Sequence, residues 1–446
     1  MSTHDILPTG ATSSHSSSLM AHFQPLTYIW AMAMFALLSA LFLSAAQATD
    51  FCPPYEASPL YRPRARQVPA NTSNWISVIQ NAQSGDEILL ADGSYDLDQY
   101  AVQISTDITI RSASGNRDAV VILGQGYGTL SEGLMVRAPS VTVADLTITG
   151  VRNHGVSIKG EHGADATHIY NVHLYDIGTQ HIKGTPSSSN GVVACSKIGY
   201  TPGGVRGDYI NAIDIHGATN WVIRDNEIYN IWGDGSGCEV DIDCGTYLPG
   251  GGPAILLWNN ASGNVVERNQ ILDSFRGIAL GFHSNHAGGV VRNNFFFQSS
   301  AQQNGVSGDA GMSIWGSNTE IDHNTIILGT SYPGAIEIQD SSNLQIRNNL
   351  ISEPVWNRGN STYYSQGNKT DAAPVDLIAP GNPHLDPDSG AVDFSTTVAL
   401  PDVDEDIDGD TRPQGTRPDA GCDEWVNTHS TIFSDSFESG DLSSWS

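Results

Sequence analysis

Asp214 and His216 stand two residues apart in Ala212-Ile-Asp-Ile-His-Gly217, so in an extended chain they project from one face. A carboxylate beside an imidazole is a pairing that general acid–base chemistry uses, because the imidazole titrates near neutrality and the carboxylate orients it. The frame around them returns as Gly155-Val-Ser-Ile-Lys-Gly160, Ala254-Ile-Leu-Leu-Trp-Asn259, Gly277-Ile-Ala-Leu-Gly-Phe282, Gly311-Met-Ser-Ile-Trp-Gly316 and Ala335-Ile-Glu-Ile-Gln-Asp340. Alignment gives two outward columns. The first holds Ser157, Asp214, Leu256, Ala279, Ser313 and Glu337; the second holds Lys159, His216, Trp258, Gly281, Trp315 and Gln339. Both columns are expected to be exposed on one continuous face. Flat indole faces stack against sugar rings, and polar neighbours satisfy hydroxyls. The chemistry implied is polysaccharide binding, with Trp258, Trp315 and Glu337 as substrate contacts.

If such a chain is cleaved, β-elimination fits the residue types better than hydrolysis. His216 is the candidate base, with Asp214 beside it and Arg276 or Lys159 stabilising the charge that develops on a uronate carboxylate. Hydrolysis by Asp214 and Glu337 is disfavoured, because three coils lie between them at about 4.8 Å per step. His283 and His286 lie in the turn Gly281–Gly289, close in sequence to Arg276 and Arg292. His283 and Arg292 are counted as further substrate contacts.

The elements that must position these groups are announced by a second phrase: apolar, two polar residues, Asn, one variable residue, apolar. It reads Ile223-Arg-Asp-Asn226-Glu-Ile228, Val266-Glu-Arg-Asn269-Gln-Ile271, Val290-Val-Arg-Asn293-Asn-Phe295, Ile321-Asp-His-Asn324-Thr-Ile326 and Ile346-Arg-Asn-Asn349-Leu-Ile351, with Leu146 and Val172 in the Asn slot earlier. A unit of roughly 25 residues, lengthened by insertions, marks a solenoid whose turns bury their apolar faces against neighbours. The long, uneven turns favour an all-β, right-handed single-stranded parallel β-helix. Its Asn column is expected to be a structural ladder, since buried amides must find partners. Two insertions, 183–209 and 232–252, are expected to rise as walls beside the Asp214 and Trp258 strands.

Trp75, Val78, Ile79 and Ala82 follow helical spacing behind Ser73 and Asn74, which suits a capping helix over the first coil. The expected organisation is a secretory leader (1–48), a lead-in (49–72), the capped β-helix (73–360), an Asp/Pro-rich closing segment (361–425) and a flexible tail (426–446). The apolar run Tyr28–Ala48 ends in Ala46-Gln47-Ala48, a small-x-small cleavage pattern. Met20 is an alternative start, and a retained membrane anchor is the alternative reading of the run. Cleavage would leave no membrane span in the mature, monomeric chain and place it outside the cell or on its surface.

A net charge of −28 with only four lysines (Lys159, Lys183, Lys197, Lys369) excludes nucleic acid, which needs a basic footprint. It also disfavours a uronate polymer unless Ca²⁺ or local arginines offset it. In an oxidising compartment Cys238 and Cys244 are close enough to staple one loop, while Cys52, Cys195 and Cys422 leave the pairing open. Between the loop cysteines, Glu239, Asp241 and Asp243 are a candidate Ca²⁺ site, with a solvated acidic loop as the alternative. Asp404-x-Asp406-x-Asp408-Gly409 matches the first half of a Ca²⁺ loop. Gly415 stands where an EF-hand needs a bidentate Glu, so only weak Ca²⁺ binding is expected there. His154, His162, His168, His173 and His181 match no compact metal-ligand spacing.

Ser77-Val-Ile-Gln-Asn-Ala-Gln-Ser-Gly-Asp-Glu-Ile-Leu-Leu with Asp92-Gly-Ser-Tyr95, followed by the repeats, resembles secreted proteins of the pectate-lyase-like right-handed β-helix superfamily. The resemblance spans about Trp75 to Ile351 and implies the fold, while the superfamily hosts lyases, hydrolases, epimerases and binding proteins. Neither the catalytic phrases of pectate lyases nor those of polygalacturonases occur. The stretch His384 to Gly421 resembles the closing segment of bacterial surface proteins with alternative C-terminal anchors. Phe433 to Trp445 is similar to a tail of secreted gammaproteobacterial proteins, which implies a Gram-negative source. A non-enzymatic surface adhesin is therefore the alternative to a polysaccharide lyase.

Overall fold

The computed structural model describes residues 52–207, 209–233, 251–282, 284–300, 302–303, 306–395, 400 and 403–426. The segment expected to be a leader, most of the 232–252 insertion with Cys238, Cys244 and the Glu239/Asp241/Asp243 group, His283 and residues 427–446 lie outside them.

Short parallel strands form three long sheets of 12, 10 and 10 strands, and each coil contributes one strand to each sheet in turn. The fold is a right-handed parallel β-helix. Its interior is built from ladders of like residues in register. In the sheet that carries Asp214, the sequence Ile182, Ile213, Ile255, Ile278, Met312, Ile336 runs straight across neighbouring strands, with every member buried. Each coil buries its apolar residues only against the coils above and below, so the core is a rod. The helix Trp75–Gln80 buries Trp75 and Ile79 against this rod, with Trp75 edge-on to Tyr95 at 5.6 Å. Asn74 is its N-cap by position, yet its side chain makes no cap bond; Oδ1 accepts instead from the Asn71 N–H.

The Asn column is a hydrogen-bonded ladder. Asn226 donates to Asn269, Asn269 to Asn294 and Asn294 to Asn324, each at 2.9 Å. Asn324 then donates to Asn349 at 2.9 Å and Asn349 to Asn368 at 2.8 Å. The ladder residue of its coil is Asn294 and not Asn293, a correction with a backbone cause. The residue just before each ladder position turns the corner in the left-handed region: Asp225 (φ 58°), Arg268 (51°), Asn293 (53°), His323 (52°) and Asn348 (57°). Asn tolerates that conformation, so two consecutive asparagines serve two different needs. Ser196 fills the ladder slot between Val172 and Asn226: its Oγ accepts the Val172 backbone N–H (3.3 Å) and its own N–H donates to Asn226 Oδ1 (3.0 Å).

The stretch 183–209 is not a wall. It is a regular coil with strands Gln180–Gly184, Val192–Ala194 and Lys197–Gly199. Its first strand escapes the aligned frame because His181 replaces the small residue and Gly184 the second apolar one. Gly184 is required: a Cβ there would lie 2.7 Å from Cγ2 of Ile215 on the next strand.

The lead-in runs up the outside of the 12-stranded sheet. Cys52 is disulfide-bonded to Cys195, leaving Cys422 as a buried thiol. Tyr55 N–H donates to Asp145 (3.0 Å), Arg62 meets His168 (2.7 Å), and Arg64 binds Asp107 and the Ser140 carbonyl (2.7 Å each). Among the described residues no helix is long and apolar enough to cross a membrane.

Candidate functional site

In the sheet carrying the aligned frame, the register is Ser157, Lys183, Asp214, Leu256, Ala279, Ser313, Glu337, Trp356. The aligned members of the first column lie in register, and the column also runs through Lys183 and extends to Trp356 at one end and to Met135 and Gln103 at the other. One expectation is overturned. The first column points away from the rod but is not exposed: Asp214 and Leu256 are 0 % accessible and Glu337 1 %. Around Asp214 the longer side chains of its neighbours fold inward over it.

Lys183 stands directly opposite Asp214, and its ammonium is hydrogen-bonded to Asp214 Oδ2. The same ammonium lies 2.9 Å from Nε2 of His216. The Trp258 indole N–H donates to Asp214 Oδ1 at 2.9 Å, and His216 Nε2 is 3.6 Å from that oxygen. The imidazole meets the Trp258 ring edge-on at 4.5 Å between centroids. The Asn259 side-chain amide lies 2.7 Å from Nδ1. Asn259 and Asn260 both adopt left-handed backbone (φ 59° and 65°), which brings that amide back over the strand it has just left. Burial, opposed by Asp214 and assisted by Lys183, lowers the pKa of His216 below the ordinary imidazole value. The ring is therefore neutral at pH 7, with its basic nitrogen beside an ammonium.

Trp315 is half-buried beyond Gly281. Gly281 has φ 89°, and a Cβ there would lie 2.0 Å from the Trp315 carbonyl oxygen. Only glycine lets the two tryptophans share this column.

The cations proposed from sequence are already engaged. Lys159 pairs with Glu132 (3.4 Å), which also accepts from the exposed Tyr100 hydroxyl (3.0 Å). Arg276 pairs with Asp309 and lies 4.8 Å over the Phe282 ring. Arg292 belongs to another sheet, on strand His286–Arg292, and binds Glu267 at 2.8 Å. That strand leaves the sheet of the site at the corner, so nearness in sequence does not bring Arg292 to Asp214. His286 shares the strand and is fully buried. Glu337 sits four strands from Asp214, held by Arg358 (2.7 Å) and by the Tyr332 hydroxyl. Arg358 covers Trp356 at 5.0 Å and Tyr332 meets it edge-on at 5.5 Å. The face thus carries two polar–aromatic clusters, around Asp214 and around Glu337.

The closing segment rearranges the expected Ca²⁺ loop. Asp406 does not face outward as a ligand: its carboxylate caps the N–H groups of Asp408 (2.9 Å), Asp410 (2.8 Å) and Glu424 (2.9 Å). His384, Asp408 and Asp423 instead bring three potential ligand atoms within 4.8 Å of one another, a group capable of holding a metal.

The sequence matches no protein-family profile and no curated protein. Among solved structures it is similar to an alginate lyase from Paenibacillus sp. str. FPU-7, with 18 % identity, a TM-score of 0.47, and 68 % of this chain and 99 % of that one covered. It is also similar to the pectate lyase Pel9A (12 %, 0.45, 81 % and 96 %) and to the periplasmic alginate epimerase AlgG (12 %, 0.39, 66 % and 71 %). Likeness at this level is confined to the fold.

Proposed function

We propose that this chain is a secreted carbohydrate-active β-helix protein that binds a uronate-containing polysaccharide along the Asp214 face and cleaves it by β-elimination. The observation that carries the reading is the contact of Lys183 with both Asp214 and His216 beside Trp258. Two of the four lysines in a strongly acidic chain, Lys159 and Lys183, stand on this one face. A local cation is what a uronate carboxylate needs when the proton at C5 is removed and charge moves onto it.

In this reading the sugar ring stacks on Trp258, and the incoming carboxylate draws the Lys183 ammonium toward itself. Nε2 of His216 is then free to take the C5 proton, after which the C4–O bond breaks, the double bond forms between C4 and C5, and the leaving oxygen departs as a hydroxyl by taking a proton from the imidazolium or from water. Asp214 holds Lys183 and the Trp258 indole in place. Lys183 replaces Arg276 and Lys159 as the nearest cation to the base. Trp315, Glu337 and the Arg358/Trp356 cluster are proposed as more distant sugar contacts, and the disulfide suits an oxidising compartment.

The test is a panel of uronate-containing and neutral polysaccharides followed by the ultraviolet absorbance of unsaturated product and by reducing ends. Unsaturated product from a uronate polymer, abolished in His216→Ala, is the expected result. Reducing ends without unsaturation would replace elimination by hydrolysis. Retained glycan binding with no cleavage of any polymer would make the protein an adhesin.

A further inference from the structure

We propose that His384, Asp408 and Asp423 bind one divalent first-row metal ion, Zn²⁺ by preference, which fastens the closing segment shut. Three separate stretches supply the ligands, so the ion would tie together loops otherwise joined by few regular hydrogen bonds.

The orientation of His384 carries the inference. Asn382 Oδ1 accepts the His384 backbone N–H at 2.9 Å and lies 2.6 Å from Nδ1. The backbone bond fixes the amide oxygen toward the ring, so Nδ1 carries a proton and Nε2 is the nitrogen left to bind. Nε2 lies 2.8 Å from Asp408 Oδ2. A nitrogen lone pair and a carboxylate oxygen this close need a cation to join them, either a second ring proton or a metal bound beside both after a small parting of the two atoms. An amide oxygen holding the far N–H is the usual second support of a metal-bound imidazole.

Asp408 decides between them. Its side chain is 2 % exposed, yet its other oxygen, Oδ1, meets no hydrogen-bond donor. A buried carboxylate bound only to an imidazolium through one oxygen leaves that desolvation unrequited. Asp406, two residues away, shows the contrast with its three backbone donors. Asp423 is positioned by the Leu385 N–H (2.7 Å) on Oδ2. One imidazole with two carboxylates favours a borderline ion such as Zn²⁺ over Ca²⁺, which takes oxygen ligands. Leu377, Leu385, Ile407 and Cys422 pack in the surrounding apolar cluster, as suits a structural ion.

The experiment strips the full chain with a strong chelator and titrates it with Zn²⁺ by calorimetry and thermal unfolding. The expected result is one high-affinity Zn²⁺ that raises Tm, with affinity at least tenfold lower in both Asp408→Asn and His384→Gln. No stoichiometric uptake, or uptake at unchanged affinity in both variants, overturns the proposal in favour of an imidazolium–carboxylate pair. Should the variants fail to fold, Co²⁺ added to the stripped wild type decides. Intense visible bands of a nitrogen–oxygen site support the proposal, and the spectrum of the aqueous ion overturns it.

Discussion

The Lys183 ammonium lies 2.9 Å from Nε2 of His216 while also binding Asp214, so one cation from the neighbouring coil joins the proposed base to a fully buried carboxylate. The site is therefore an assembly of two adjacent turns, and neither turn alone contains it.

His216→Ala is expected to lower the rate of elimination by about 10²–10⁴-fold, the range for loss of a general base, with polymer binding largely retained. Because burial depresses the His216 pKa, the base stays neutral to lower pH than an ordinary imidazole. The wild-type rate should hold its plateau as pH falls and decline only below the usual imidazole range. A pH–rate profile for kcat/KM, which reports the free protein, checks this, and an acid limb at or above the free-imidazole value would remove His216 as the base.

Lys183→Ala leaves Asp214 buried without its cation and should destabilise by about 3–5 kcal/mol. Lys183→Ala combined with Asp214→Asn should regain most of that loss, since the uncompensated charge is gone. Urea midpoints of the two singles and the double close the cycle. Additive losses would show that the pair is not coupled.

Gly281→Ala meets both a left-handed backbone and a carbonyl oxygen 2.0 Å from the new Cβ. The strand must shift away from Trp315, at a cost on the order of 1–3 kcal/mol. Near-ultraviolet circular dichroism of the tryptophans should change along with Tm. An unaltered spectrum at unaltered Tm would contradict the close approach.

Asn324→Ala opens the ladder in its middle. It removes the bonds to Asn349 and to the Val291 and Asp322 carbonyls, and it takes the Asn324 Oδ1 acceptor from the Asn294 backbone N–H and from the Asn294 side-chain amide, which keeps its bonds to the Val266 and Arg292 carbonyls. With roughly 1–3 kcal/mol per buried group left unsatisfied, this variant should fall among the most damaging single substitutions in denaturant unfolding. A change below about 1 kcal/mol would mean that water or neighbours restore the bonds.

His286 is fully buried, and burial lowers its pKa to about 4. In the unfolded chain it takes up a proton near pH 6.5, so unfolding binds protons between those values and stability rises with pH there. The contribution is present above pH 6.5 and is lost as pH falls toward 4, on the order of 3 kcal/mol in full. His286→Gln should therefore show a shallower acid decline of Tm than the wild type. Parallel declines would contradict the assignment.

The fold was legible because its period is written in residues that can do only one thing, such as the asparagines of the ladder. The two outward columns followed from alternation alone. Lys183 was missed because its strand breaks the small–apolar pattern at His181 and Gly184, where contact with Ile215 overrides it. Arg292 was misplaced because a β-helix turns a corner every few residues, so nearness in sequence is a poor guide to nearness across sheets. The sealing of Asp214 depends on side-chain length in adjacent coils, which alignment of one column does not reveal. The His384 group was hidden for another reason: its members come from three loops with no shared period, and Asp406 imitated a ligand while serving as a turn cap.

The strap from Cys52 to the first strand has a mechanical meaning. A stack of coils pulled from its end ordinarily peels, one turn at a time, against a small constant resistance. Here the leading end is buckled to Cys195, 143 residues further along the chain than Cys52, and is tied to intermediate turns at Asp145, His168 and Asp107. Tension on the chain before Cys52 therefore bypasses the first turns and loads the sixth strand of the 12-stranded sheet directly. Those turns are shielded from traction and from exopeptidase trimming alike, and would yield together under shear or not at all.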